Sequence, residues 1–330
     1  MIVARALKIL AGARADAQEL TEVDAFDLFS AMLDGGIGEL ELGAVLATLA
    51  MKRPAADEIS GFRRALQARV NRLDPPAGAR TVVIPSYGGA HAQANLMPLL
   101  AVMLARFGIP VLVHGALEAQ GRVASAAVFR ELGILPSASL REAQSALETS
   151  RIAFVPVAVL SPALAQMLAL RARLGVRNCA FQIARLVDPF GGEGLKLVPV
   201  NDAFERDAFG AALALHREHA LLFLGTEGEA YANPQQRPAI VHFLSGEPSL
   251  LFDAEAASTA MHGSQPIPVD GQPEAKGTAR WIELALAGKV PVPPPMSNLL
   301  ACCLYATGLS QDLHQAKALV AVRARGQVAA

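Results

Sequence analysis

The chain has 330 residues, 52% of them hydrophobic and 18% charged, with 29 basic against 30 acidic groups for a formal charge of −1. That length can bury a large core, and that composition excludes a largely disordered chain. A charge near zero speaks against a generally basic nucleic-acid binder. The longest apolar runs, Leu96 to Ala105 and Ala220 to Leu224, fall well short of the roughly 20 residues a bilayer span needs. Arg5 and Lys8 interrupt the N-terminal apolar stretch, so no secretory h-region is expected. Cys302 and Cys303 are neighbours and Cys179 stands alone, which gives neither a disulfide framework nor a metal spacing. The expectation is a soluble, cytoplasmic protein with no membrane partner.

The first part of the chain reads as helices. Val23 to Leu33 carries apolar residues at helical spacing and ends at Asp34-Gly35-Gly36. Leu40 to Met51 follows, with Glu39 and Glu41 at the end where carboxylates suit the helix dipole. A third helix is predicted over Asp57 to Leu73, and Asp74-Pro75-Pro76-Ala77-Gly78 ends it. Then the pattern changes to strand Thr81 to Pro85, helix Asn95 to Phe107 and strand Pro110 to His114, a βαβ unit with a parallel pair and a right-handed crossover. Helix Arg122 to Leu132, strand Ile152 to Val157 and helix Pro162 to Leu174 continue it. Strands at Leu221 to Leu224 and Ala239 to Leu244 come next, then helices at Trp281 to Leu286 and Asn298 to Thr307. The predicted fold is α/β: a small all-helical domain plus a larger α/β domain with a mostly parallel central sheet. Its predicted boundaries are 1–74 for the helical part, a hinge near 75–79, and 80–330 for the α/β part, with helices near 162–185 returning to the helical domain.

Three loops carry candidate chemistry. Pro85-Ser86-Tyr87-Gly88-Gly89-Ala90 joins a strand to a helix, where glycine amides and a helix start suit an anion, and His91 lies just beyond. Its spacing is neither the dinucleotide fingerprint nor a Walker loop, so an ordinary tight turn fits it too. Arg171-Ala172-Arg173-Leu174-Gly175-Val176-Arg177-Asn178 clusters guanidiniums that suit bidentate binding of phosphate or carboxylate, or that merely complement a helix C-terminus. In Gly225 to Pro234, Glu227 and Glu229 are weak candidate Mg²⁺ ligands beside the reading of plain solvated carboxylates. No Ser-His-Asp order, H-E-x-x-H or Cys/His metal set points to nucleophilic or zinc chemistry.

Charge is unevenly distributed. Residues 81–190 hold 9 basic and 5 acidic groups, net +4, between an N-terminal part of −1 and a C-terminal part of −4. Arg151, Arg171, Arg173, Arg177 and Arg185 all fall in a window, 151–187, that has no Asp or Glu. Such a patch attracts polyanions unless carboxylates from elsewhere neutralise it. A second basic stripe is Lys52, Arg53, Arg63 and Arg64.

Together and in this order, these segments resemble the anthranilate phosphoribosyltransferase family, of the class that also holds pyrimidine nucleoside phosphorylases. The likeness spans nearly the whole chain: the helical start, the Gly loop, Val113-His114-Gly115 and Arg-x-x-Leu-Gly-x-Arg from Arg171 to Arg177. Ile84-Pro85-Ser86-Tyr87, Gly175-Val176-Arg177-Asn178, Gly225 through Pro234 and Ala301-Cys302-Cys303 are closer to a divergent YbiB-type branch. That branch implies a homodimer, formed through the N-terminal helices, that binds nucleic acid and has lost the transferase activity.

The departures agree with such a loss. The enzymes' Gly-Thr-Gly-Gly-Asp loop for phosphoribosyl pyrophosphate (PRPP) is Pro85-Ser86-Tyr87-Gly88-Gly89 here, without the Asp. Their Asn-Ile-Ser-Thr is Asn95-Leu96-Met97-Pro98, their Lys-His-Gly-Asn is Val113-His114-Gly115-Ala116, and their Asp-Glu metal pair aligns with Ala230-Tyr231. Losing metal ligands, hydroxyls and a Lys together removes the charge stabilisation that pyrophosphate chemistry needs. The expectation is therefore no catalytic residue, no cofactor and no metal. Nucleic-acid backbone would be held with little sequence readout by Arg151, Arg171, Arg173, Arg177, Asn178, Arg185 and His114. Ser86, Tyr87, Gly88, Gly89, His91, Asn95 and Gly115 would line the ancestral phosphate loop, with Tyr87 the one aromatic placed to stack a base. The alternatives are a PRPP- and Mg²⁺-dependent phosphoribosyltransferase with an aromatic or nucleobase acceptor, and a nucleoside phosphorylase.

Overall fold

The computed structural model describes residues 2–10, 19–255 and 274–326. Its N-terminal part comprises α1 (Ile2–Leu10), α2 (Glu22–Leu33), α3 (Glu39–Lys52) and α4 (Ala56–Gln67). The Thr21 hydroxyl accepts from the Asp24 amide and caps α2, a local reason for that helix to start there. α2 and α4 lie close because Gly61 has no Cβ, which would stand 2.3 Å from the Glu22 carbonyl oxygen. Phe29 and Phe62 stack across this contact with ring centroids 4.8 Å apart. α4 stops at Gln67 rather than at Leu73. The amides of Asn71 and Leu73 instead bond the carbonyls of Leu160 and Pro189, which draws this stretch out of the helix.

The second part runs β1 (Val82–Ser86), α5 (Met97–Arg106), β2 (Val111–Gly115), α6 (Ser125–Glu131), α7 (Leu140–Thr149) and β3 (Ile152–Pro156). It then returns to the helical side through α8 (Val157–Leu160), α9 (Pro162–Ala169), α10 (Arg171–Leu174) and α11 (Ala180–Ile183). β4 (Leu195–Val200), α12 (Ala203–Leu215), β5 (Ala220–Leu224), β6 (Ile240–Leu244) and β7 (Glu247–Phe252) complete the sheet, and α13 (Ala275–Leu286), α14 (Pro294–Ala306) and α15 (Leu313–Gly326) follow. None of the described helices is long and apolar enough to cross a membrane.

The seven strands lie in the order β3-β2-β1-β4-β5-β6-β7. β3, β2, β1, β4 and β5 are mutually parallel, and β6 and β7 extend the sheet antiparallel. Strand alternation divides the interior. Val83, Leu112, Val155 and Val198 face one apolar core shared with α1–α4, α9 and α11. Val82, Ile84, Val113 and Phe154 face another, shared with α5, α6, α13 and α14. The chain leaves β1 toward β2 on one side and later places β4 on the other. The loops at the C-terminal ends of β1 and β4 therefore part, and a crevice opens between them.

One polar network crosses the first core. The Lys196 ammonium of β4, 1% exposed, meets Glu218 and stands 3.4 Å from Asp188. Arg63 of α4 meets the same Glu218. Burial pushes the Lys196 ammonium down to about 8, against the pull of Asp188. Replacing it by an apolar residue strands buried carboxylates, which is costly. Lys196→Met should therefore lower unfolding stability by about 3–5 kcal/mol in urea titration; a loss below about 1 kcal/mol would mean that Arg63 alone satisfies Glu218.

Candidate functional site

The crevice at the switch point holds a cavity of about 120 Å³, lined by Ala50 of α3, Tyr87 and Gly88 after β1, Arg177, Phe181 and Gln182, and Asn201 after β4. The loop after β5 closes its floor. Glu227 (φ 53°) and Gly228 (φ 85°) are consecutive left-handed residues. They turn the chain so tightly that the Thr226 and Glu229 amides each bond the other's carbonyl. That turn sends both carboxylates toward the loop after β1.

Glu229 is fully buried. It accepts from the amides of Gly88 and Gly89 at 2.6 and 2.7 Å, from the Ser86 hydroxyl at 2.7 Å and from the Ser125 hydroxyl at 3.1 Å. Burial pushes its carboxyl upward, opposed by these donors. Glu227 accepts from the amides of His91, Ala92 and Gln93 at 2.8, 3.0 and 2.9 Å and pairs with Arg122 at 2.6 Å. Burial works to raise Glu227 too, but these amides and Arg122 outweigh it and hold the carboxyl below its ordinary range. The two acids read as plain loop carboxylates or weak metal ligands are thus internal partners of the Gly loop.

The loop is as close-packed as its glycines require. Gly89 has φ 64°, and a Cβ there would meet that of Ala119 at 2.5 Å. A Cβ on Gly115 would lie 1.8 Å from the Ser86 carbonyl oxygen. Asn95 is buried, with its amide on Val123 and Ser125 and its oxygen accepting from Met97, so it braces the loop from below. His91 is the exposed member of the set.

Several residues expected to bind an anion have polar groups with partners inside the protein, although Tyr87, Asn178 and Arg185 also line the cavity. Tyr87 lines the cavity but is largely buried, and its hydroxyl lies 2.8 Å from His114 Nδ1. Burial pulls His114 down to about 3, which keeps it neutral. Arg185 is buried on the Pro199 carbonyl at 2.7 Å and on Glu205 at 2.8 Å. Although burial works to raise Glu205, Arg185, Gln182 and the Asn201 amide hold it at about 2. Asn178 spends its side chain on the Met167 carbonyl and the Ala180 amide. Arg151 precedes β3 and bonds the Ala77 carbonyl, at the opposite end of the sheet from the crevice. Arg173 reaches Glu39 at 3.0 Å on the surface.

Arg171 and Arg177 remain. Both guanidiniums lie 5.7 Å from the Phe181 ring centroid. Arg177 also donates to the Gly88 carbonyl at 3.0 Å. Neither has a carboxylate partner among the described residues, and burial and the nearby charges of Arg171 and Arg122 draw the Arg177 pKa downward. The second basic stripe is spent: Lys52 on Glu58, Arg53 on Asp202, Arg63 on Glu218 and Arg64 on Glu22. Arg122, Phe181, Gln182, Asn201 and Glu205 enter the site unannounced by any local motif, since each is brought in by topology.

Residues 8–70 match the family described as "Glycosyl transferase family, helical bundle domain". Over 302 residues, 88% of this chain and 90% of the relative, the chain is 40% identical to YbiB of Escherichia coli (strain K12). It is 31% identical over 186 residues to the anthranilate phosphoribosyltransferase of Methylocella silvestris, across 56% of this chain and 53% of that one. Among solved structures, anthranilate phosphoribosyltransferase from Thermus thermophilus superposes with a TM-score of 0.77 at 21% identity, covering 99% of this chain and 96% of that one. The Saccharomyces cerevisiae enzyme in complex with PRPP and Mg gives 0.73 at 14% identity, with 98% and 94% covered. The two-part fold, the loops gathered at its switch point and the identity to YbiB over most of both chains agree: this chain belongs to the YbiB-type branch of the anthranilate phosphoribosyltransferase-like family.

Proposed function

We propose that this chain is a non-enzymatic binder of nucleic-acid backbone, DNA or RNA, with little sequence specificity. The observation that carries the reading is the pair Arg171 and Arg177 at the rim of the cleft, cations without a carboxylate partner among the described residues. Backbone phosphates are the ligand such guanidiniums suit, and their contribution is electrostatic and independent of sequence.

The transferase reading needs PRPP with Mg²⁺, and the residues present fit that pair poorly. The Gly88 and Gly89 amides already donate to Glu229, and those of His91, Ala92 and Gln93 to Glu227. The same bonds occupy the carboxylates that would hold the metal. If PRPP-dependent activity exists here, these groups must first part.

A homodimer through the N-terminal helices belongs to the proposal. Leu40, Ala44, Ala47 and Met51 recur at helical spacing along α3, and Leu40 and Met51 are 83% and 87% exposed. Pairing would double the number of rim arginines available to one strand, which matters for a subunit with no net positive charge.

Titration of fluorescent DNA across salt tests the function. Affinity should fall linearly on a log–log plot, and Arg171→Glu should weaken unrelated sequences alike and reduce the slope by roughly 0.9 per lost duplex contact. Arg64→Glu, at a cation already paired, should change little. Binding that ignores salt, or equal effects of the two variants, would contradict the arginine rim. For the dimer, light scattering of Met51→Glu should show a monomer where the parent chain shows twice that mass; an unchanged mass would place the interface elsewhere.

A further inference from the structure

A loop of glycine amides at the switch point of a parallel sheet is a receptor for anions, because it presents several N–H dipoles to one point without a charged side chain. In this chain the point is filled from within. The Oε1 atom of Glu229 takes the Gly88 and Gly89 amides, and its Oε2 takes the Ser86 and Ser125 hydroxyls. Three consecutive amides, His91 to Gln93, converge in the same way on Glu227. Groups that would hold oxyanions of a ligand thus hold carboxylates of the chain.

We propose that Glu229 and Glu227 are resident anions of this loop, and that Glu229 covers a latent receptor for a small oxyanion of the carboxylate or phosphate class. Three observations support it. Glu229 is fully buried, and a buried carboxylate is tolerated only where donors replace its water. Its four donors come from the end of β1, the following loop and the start of α6, so they stay in place when the side chain is removed. Arg177 and Arg122 stand beside them, the first held by the Gly88 carbonyl and the second by Glu227. An emptied site would therefore keep its donors and gain net positive surroundings. It would select an anion.

Truncating Glu229 to Ala removes the equivalent of an acetate ion, so acetate is the probe. Thermal unfolding of Glu229→Ala is followed in sodium acetate and in sodium chloride at equal ionic strength. The variant should melt below the parent chain, and acetate should raise its midpoint saturably by several degrees while chloride does not. Inorganic phosphate tests the larger member of the class. The parent chain, whose receptor is already filled by Glu229, should show no difference between acetate and chloride. Glu229→Gln, which fills the space and keeps one acceptor oxygen, should fold and show no acetate rescue.

Equal responses to acetate and chloride, or the same response in the parent chain, would overturn the proposal. So would saturable binding of pyrophosphate by the parent chain accompanied by shifts of the Gly88 and Gly89 amide resonances. If Glu229→Ala folds only in acetate, refolded yield is the readout and the result supports the proposal. If it folds in neither salt, Glu227→Ala takes its place: acetate must shift the Ala92 and Gln93 amide resonances, and silence there overturns the proposal. No nucleic acid enters these measurements, so their outcome is independent of the function proposed above.

Discussion

A carboxylate cut off from water must be given donors, and the requirement of Glu229 organises the centre of this molecule. It draws the end of β1, the loop that follows, the first residue of α6 and the turn after β5 to one point. Residues that look unremarkable alone acquire reasons from it. Ser86 and Ser125 are buried hydroxyls because Glu229 needs them. Gly88 and Gly89 leave their amides approachable. The two left-handed residues at 227 and 228 exist so that the turn can aim its acids inward. The same fixation carries outward, since the Gly88 carbonyl is the anchor of Arg177.

Some of the arginines this sequence concentrates are paired, and pairing separates a count from a surface. The middle of the sequence has an excess of arginines, yet Arg185 is consumed by Glu205 and Arg173 shares its charge with Glu39. Exposed pairs such as the latter are weak, of order 0–1 kcal/mol, and open to competition from a denser anion. The buried pair is not. The effective cationic edge is therefore smaller than the window of five arginines suggests, and it sits at the cleft rim rather than along the whole segment.

The sequence made most of the parallel strands and the α2–α4 helices legible, because their apolar spacing is strong and Pro/Gly clusters punctuate them. It hid β4. Lys196 and Pro199 interrupt that strand, and only the tertiary partners of Lys196 explain a charge in a buried strand. α7, α12 and α15 were missed too, although Ser139 and Asp202 cap the first two on the amides of Glu142 and Glu205, a start signal present in the sequence. In the site, the Gly loop and Arg177 were legible as neighbours in one candidate site, and they do meet. Tyr87, His114, Arg151, Arg185 and Asn178 were legible only in part, because the partners of their polar groups come from elsewhere in the chain: His114 takes Tyr87, Glu205 takes Arg185 and Ala77 takes Arg151, although Tyr87, Asn178 and Arg185 do line the cavity. Local windows see missing acids; they do not see which distant acid arrives.

The network of Arg63, Glu218, Lys196 and Asp188 has a kinetic consequence. α4 contributes the first of these groups and the sheet side contributes the rest, so swinging the bundle away from the sheet would break ion pairs that solvent reaches only after the core they share has opened. Hinged closure over a ligand is thereby disfavoured. On the proposed function, a partner would meet a rim already in its final shape, with its residence time set by the contacts made there rather than by a gate.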